Sequence, residues 1–226
     1  MHIRFHTGGP AVHPTRTQAG QIAQWLGPAY TCSIVDDAAA FADLETVDAL
    51  VLMGLFWPGM DADWAGNLVY DPLPPAALAQ FLAYRSARRP LLIHHGAIGC
   101  YSDLPAFTAA LGVSWGVRRA THSPVLPHAL RVDPTPHPLT TGIGDFTVTD
   151  ELYHSLVYDP AVPRTDVLWG DWEGCAYPLV SAFGATPTRG RTVFNALGHG
   201  HEAFQAPAMQ RLWVNSIRWA LQSDGV

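Results

Sequence analysis

The chain has 226 residues, enough for one α/β domain with a sizeable core but cramped for two. Hydrophobic residues make up 48% and charged residues 14%, so it reads as a folded chain; a net charge of −6 argues against nucleic acid or an anionic membrane as the main partner. All 13 basic residues are arginine, and the absence of lysine excludes a pyridoxal phosphate Schiff base, a Walker-type phosphate lysine and a lysine general base.

Cys32, Cys100 and Cys175 are odd in number and lack C-x-x-C spacing, so neither a disulfide framework nor a cysteine zinc site is indicated. No run approaches the roughly 18 apolar residues of a membrane span, and MHIRFHTGG enters a strand with no charged leader before it. A reducing cytoplasm is the expected location.

In chain order, His2 to His6 reads as a first strand that closes in Thr7-Gly8-Gly9-Pro10. A helix follows from about Arg16 to Leu26, with Thr15 as its expected cap and Gly27-Pro28 as its stop. Tyr30 to Val35 and Ala49 to Met53 are the second and third strands, a strand–helix–strand spacing that argues for a parallel doubly wound sheet. From Gly54 to Pro75 no periodicity is evident; Trp57, Trp64 and Tyr70 lie there, suited either to stack on a sugar face or to pin the loop. Ala76 to Ala87 reads as a helix with Leu78, Phe81 and Leu82 on one face.

The stretch Arg89 to Tyr101, RPLLIHHGAIGCY, carries an apolar strand into His94, His95, Gly96 and Gly99, and a further helix is expected from about Leu104 with Ser102 or Asp103 as cap. Carboxyl ends of strands in open α/β sheets are where ligands bind. Beyond Gly112 the segments shorten: strands are expected at Ala129 to Val132, Phe146 to Thr149 and Asp166 to Trp169. Pro178 to Phe183 and Thr192 to Leu197 flank ATPTRGR as a β-hairpin, and Pro207 to about Leu221 is a helix with Met209, Leu212, Trp213, Ile217 and Ala220 as its core stripe.

Four clusters of chemically able residues sit at predicted strand ends: His13; His94 with His95; Asp150-Glu151-Leu152-Tyr153-His154; and Gly198-His199-Gly200-His201-Glu202. His199 and His201 in a glycine-flanked loop suit acid/base work or metal ligation. No H-E-x-x-H or other compact ligand spacing occurs, so a divalent metal such as zinc would need ligands from distant segments, with His95 and His199 as the named candidates.

DELYH at Asp150 to His154, HPLTTGI at His137 to Ile143, GRTVFNALGH at Gly190 to His199 and the C-terminal WVNSIRWAL together resemble the ThuA-like (trehalose utilisation) family over most of the chain, His2 to Leu221. The resemblance implies one ThuA-like domain over residues 1–226, with the flavodoxin-like, class I glutamine amidotransferase-like doubly wound sheet. The predicted hairpin would be its C-terminal elaboration. In true amidotransferases the central strand leads to a G-x-C-x-G elbow whose cysteine attacks glutamine. Here His94-His95-Gly96-Ala97 stands in that place, as in ThuA-like proteins, and Cys100 comes too late. The chain departs from the family at Ser86-Ala87-Arg88-Arg89-Pro90, where a glycine run is common before the central strand.

The expected function is an intracellular enzyme of carbohydrate metabolism, acting on trehalose or a related sugar. His95, Glu151 and His199 are the expected catalytic residues; His13, His94, Gly96, Trp57, Tyr153, His154 and His201 are expected to bind substrate. Two alternatives stay open: a non-catalytic carbohydrate-binding or regulatory module, and an amidotransferase with Cys100 as displaced nucleophile. A homodimer is the default assembly.

Overall fold

Short apolar runs with β-competent residues set the frame of the computed structural model, which describes residues 1–58, 70–116 and 119–222. β1 (His2–Thr7), α1 (Thr15–Leu26), β2 (Thr31–Asp36), β3 (Ala49–Leu52), α2 (Pro75–Ser86), β4 (Leu91–His94) and α3 (Pro105–Leu111) form the first half. Then come β5 (Val113–Ser114), β6 (Thr121–His122), β7 (Leu126–Val132), β8 (Phe146–Asp150), β9 (Tyr153–His154), β10 (Val157–Tyr158), β11 (Arg164–Trp172), β12 (Cys175–Phe183), β13 (Thr192–Asn195) and α4 (Pro207–Leu221).

Nine strands make one sheet in the order β2-β1-β3-β4-β13-β12-β11-β7-β8. The first five are parallel, and their order 2-1-3-4 followed by a fifth strand is the flavodoxin-like arrangement. β3 (ALVL), β4 (LLIH) and β13 (TVFN) are buried along their whole length, as expected of strands covered on both faces. α1 and α4 pack together, with Ile22 of α1 and Met209, Leu212, Trp213 and Ile217 of α4 all buried. α2 and α3 form another helix pair.

The hairpin at ATPTRGR is present, with Phe183 opposite Thr192, but it is no appendage. β13 belongs to the parallel core beside β4, and the sheet continues through four antiparallel strands. A second hairpin, unforeseen in the sequence, joins β11 to β12 through Glu173 and Gly174. Both turn residues have positive φ, 50° and 79°, the two-residue turn that matches strand twist. β11 and β12 are nine residues each, because mutual pairing, with register shifts around Leu168, extends them beyond the apolar stretches that mark them in sequence.

Two expected caps are absent. Thr15 is the first residue of α1 and its hydroxyl accepts the Gly8 amide (3.1 Å), so it fastens the loop after β1 to the helix. α3 starts at Pro105 behind Leu104; Asp103 instead accepts from the Tyr70 hydroxyl. On α2 the buried residues are Phe81, Tyr84 and Arg85, while Leu78 and Leu82 are half-buried. Trp64 lies outside the described residues. No described helix is long and apolar enough to cross a membrane.

Candidate active site

β4 ends in two histidines that part company. His94, the last strand residue, turns to the α1 and α4 side, where its Nε2 meets Gln18 Oε1 at 3.1 Å and its ring packs on Phe204 and Trp213. His95 begins a short 3₁₀ turn, His95–Gly99, with φ of +43°. A non-glycine residue in that region is strained, and such strain collects at functional sites. The strained turn carries the His95 ring beyond the end of β4, 6.1 Å from that of His94, and there Nδ1 donates to the Ala196 carbonyl at 2.7 Å. That bond fixes the tautomer and leaves Nε2 as an acceptor, which the Tyr153 hydroxyl fills at 2.8 Å.

Around this pair gather residues from three other segments. Glu151 Oε2 lies 3.6 Å from His95 Nε2 and 3.3 Å from His199 Nδ1, and Oε1 lies 3.2 Å from His122 Nδ1. His13, from the loop after β1, brings Nε2 to 3.1 Å from His199 Nδ1. The rings of His13, His95 and His199 stand nearly edge to face, with centroids 4.9–5.5 Å apart.

Burial alone would raise the Glu151 carboxyl, but the neighbouring imidazoles, His199 first at 3.3 Å and then His95, outweigh it and hold the group well below its usual range. For His199, burial opposes the charged form while Glu151, Asp150 and Glu202 favour it, and the net direction is up. His13 is pushed down to about 2 by burial and by the neighbouring imidazoles. Burial raises the Tyr153 phenol well above its ordinary value, so it remains a hydrogen-bond donor. One carboxylate held ionised, one imidazole inclined to keep its proton and one that refuses it form a graded acid/base set.

Asp150, 1% exposed, organises the loop that carries His199. Its Oδ2 accepts the Gly198 amide at 2.6 Å, and its Oδ1 accepts those of His199 (3.0 Å) and Glu151 (2.9 Å). Gly198 has φ of +112°, and a Cβ there would fall 2.1 Å from the His94 ring, so only glycine fits. Gln18 completes the support: its amide nitrogen donates to the carbonyls of Gly198 (2.8 Å) and Gly200 (3.1 Å). Thus His94 and Gln18 hold the loop from behind.

The cluster opens into a cavity of about 510 Å³. Val12, Leu55, Trp57 and Trp115 form apolar walls, and Gly96 and Gly99 leave room for them; His13, His122, Glu151, Tyr153 and His199 supply the polar groups. Of the residues expected at the site, His13, His95, Glu151, Tyr153 and His199 come together, with Trp57 and Gly96 beside them. His94, His154 and His201 lie outside: His154 packs at a tilt against Tyr177, and His201 is exposed at the start of the turn Glu202–Gln205. The sequence did not point to His122, Trp115, Leu55 or Gln18 as site residues, and singled out Asp150 only as part of a cluster. His122 sits in a segment without clear periodicity and reaches Glu151 only because β6 pairs with β9, His122 opposite Tyr153.

Parallel strand order, an imidazole at the elbow after the central strand and a histidine–glutamate cavity at the strand ends define a member of the glutamine amidotransferase-like superfold that lacks its cysteine nucleophile. The chain belongs to the ThuA (trehalose utilisation) family, whose model matches residues 10–220. Among solved structures, a protein from Parabacteroides merdae described as ThuA-like is 18% identical, with a TM-score of 0.79 over 100% of this chain and 92% of that one. A cytoplasmic protein from Salmonella typhimurium LT2 is 12% identical (TM-score 0.64; 97% and 99% covered). A glutamine amidotransferase from Methylobacillus flagellatus is 14% identical (TM-score 0.55; 99% and 96% covered). No curated protein sequence matches the chain.

Proposed function

We propose that the chain is an enzyme acting on a small carbohydrate, trehalose or a related sugar, by proton transfer at a histidine–glutamate centre. The observation that carries this reading is the placement of Glu151, shared among His95, His122 and His199, at the foot of a cavity walled by Trp57 and Trp115. Apolar and aromatic walls with a few convergent polar groups suit a sugar, whose ring faces are apolar and whose rim is hydroxylated. His199, its proton favoured by Glu151, is the acid; Glu151, held ionised, is the base or the group that orients it. Tyr153 and His95 form a second carrier, since the phenol already donates to Nε2. Isomerisation, epimerisation and hydrolysis of a sugar all draw on such groups. Cys100 takes no part, being buried and absent from the cavity wall.

In this reading the chain acts as one domain in the cytoplasm, like the Salmonella neighbour described as a cytoplasmic protein, either alone or as a homodimer, with a sugar and not a nucleic acid or membrane as partner. The test is a thermal-shift panel of free mono- and disaccharides, trehalose included, followed by NMR of each sugar that binds. A hit that wild type converts, that Trp115→Ala binds more weakly and that Glu151→Gln binds without converting is the expected result. Absence of any hit overturns the carbohydrate assignment, and binding without conversion overturns the catalytic one.

A further inference from the structure

The three imidazoles at the foot of the cavity turn ring nitrogens toward one another. His95 Nδ1 gives its hydrogen to the Ala196 carbonyl, so Nε2 faces the cluster as a lone pair; His13 Nε2 and His199 Nδ1 face each other at 3.1 Å. The ligand atoms of His13, His95 and His199 all lie within 4.8 Å of one another. Glu151 Oε2 sits 3.3 Å and 3.6 Å from two of them. We infer that His13, His95, His199 and Glu151 form a binding site for one divalent first-row transition metal of the zinc class.

Donor chemistry favours that class. Three imidazoles and one carboxylate suit zinc, cobalt, nickel or iron, whereas magnesium and calcium prefer all-oxygen sets. Metal–nitrogen bonds of about 2.0–2.1 Å in a tetrahedron place neighbouring donors about 3.4 Å apart. Two of the distances here already match that spacing, and the wider ones close by side-chain rotation. The supporting shell is in place as well. Ala196 fixes the His95 tautomer, as ligating histidines usually require, and His122 holds the second oxygen of Glu151. His95 keeps its ring against Tyr153, whose hydroxyl now occupies the Nε2 lone pair and must swing to another acceptor when the metal enters. The residues come from the ends of β1, β4, β8 and β13, four strands that no local sequence spacing connects, which is why no ligand motif is visible in the chain.

The bound ion would face the cavity between Trp57 and Trp115, with room for a water or a substrate oxygen. There it would act as a Lewis acid on a hydroxyl or carbonyl. The site stands without the carbohydrate reading, because metal binding is measured with no sugar present.

The experiment uses the full chain, prepared without a metal-carrying tag and stripped with chelator. Zn²⁺ is titrated calorimetrically against a competing chelator, and Co²⁺ is followed by visible absorption. One Zn²⁺ per chain and cobalt ligand-field bands are expected for wild type and for His2→Ala, which removes a half-buried imidazole at the start of β1, the end of the strand away from the cluster. His13→Ala and His199→Ala should each weaken Zn²⁺ by more than the roughly 100-fold that loss of a supporting group costs, and Glu151→Gln by about 10–100-fold. Melting curves of the metal-free variants show that they fold; His13→Gln replaces His13→Ala if it does not. Failure of wild type to bind either ion overturns the inference, as does equal binding by wild type and a folded His13→Ala/His199→Ala double variant.

Discussion

The Asp150 carboxylate and the Gly198 amide lie 2.6 Å apart, and that bond joins the end of β8 to the loop after β13. Burial raises the carboxyl's proton affinity against the pull of His95 and the three amides, so the group sits where charge is costly and is kept for what it holds. Asp150→Ala leaves three amides without their acceptor and should cost about 2–4 kcal/mol in chemical denaturation, at roughly 1 kcal/mol per bond. Asp150→Asn keeps one acceptor oxygen and should cost about half as much. A loss below about 0.5 kcal/mol for the alanine variant would show that the loop is held by Gln18 alone.

His6 gives the protein an acid-sensitive joint away from the cavity. Its ring packs on Phe41, Phe56 and Tyr101, and neither nitrogen has a hydrogen-bond partner among the described residues. Burial pushes its pKa from 6.5 down to about 3, against the opposing pull of Asp36. The unfolded chain therefore takes up this proton first as pH falls, and the stability linked to it is whole above 6.5 and lost progressively towards 3. The full loss is roughly 4–5 kcal/mol, with a limiting slope of about 1.4 kcal/mol per pH unit. The urea midpoint of wild type should fall away from that of His6→Leu as pH drops from 7 to 4.5; parallel curves would exclude His6 as the cause.

Cysteine reactivity should rank by exposure. Cys175 is exposed and Cys32 half-buried, while Cys100 is buried and its thiol pushed far up by burial. Brief alkylation of the native protein, read by mass spectrometry, should label Cys175 first and leave Cys100 free until urea is added. Ammonia release from glutamine should stay at background throughout. Labelling of Cys100 at the rate of Cys175, or glutamine hydrolysis lost in Cys100→Ser, would restore the displaced-nucleophile alternative.

Strands β3 and β4 were legible because a strand buried on both faces reads as a short continuous apolar run, as in ALVL and LLIH. α4 was legible to its ends because its apolar stripe repeats at helical spacing over 15 residues. The antiparallel half was read only in fragments. β11 and β12 are buried only in part, around Val167 to Gly170 and from Leu179 to Phe183, and their ends at the Glu173-Gly174 turn carry no apolar mark.

Thus the residues alone determined which chemistry the protein can hold: no lysine for a Schiff base, no placed cysteine for amide transfer, and histidines and one glutamate at the ends of strands. Which histidines share a site was decided by the tertiary structure. His94 and His95 are neighbours in the chain, yet the end of β4 and the positive φ at His95 give them different partners, Gln18 for one and Tyr153 for the other. His13 and His199 are 186 residues apart and meet at 3.1 Å, because parallel strands bring their carboxyl ends to one edge whatever their separation in sequence.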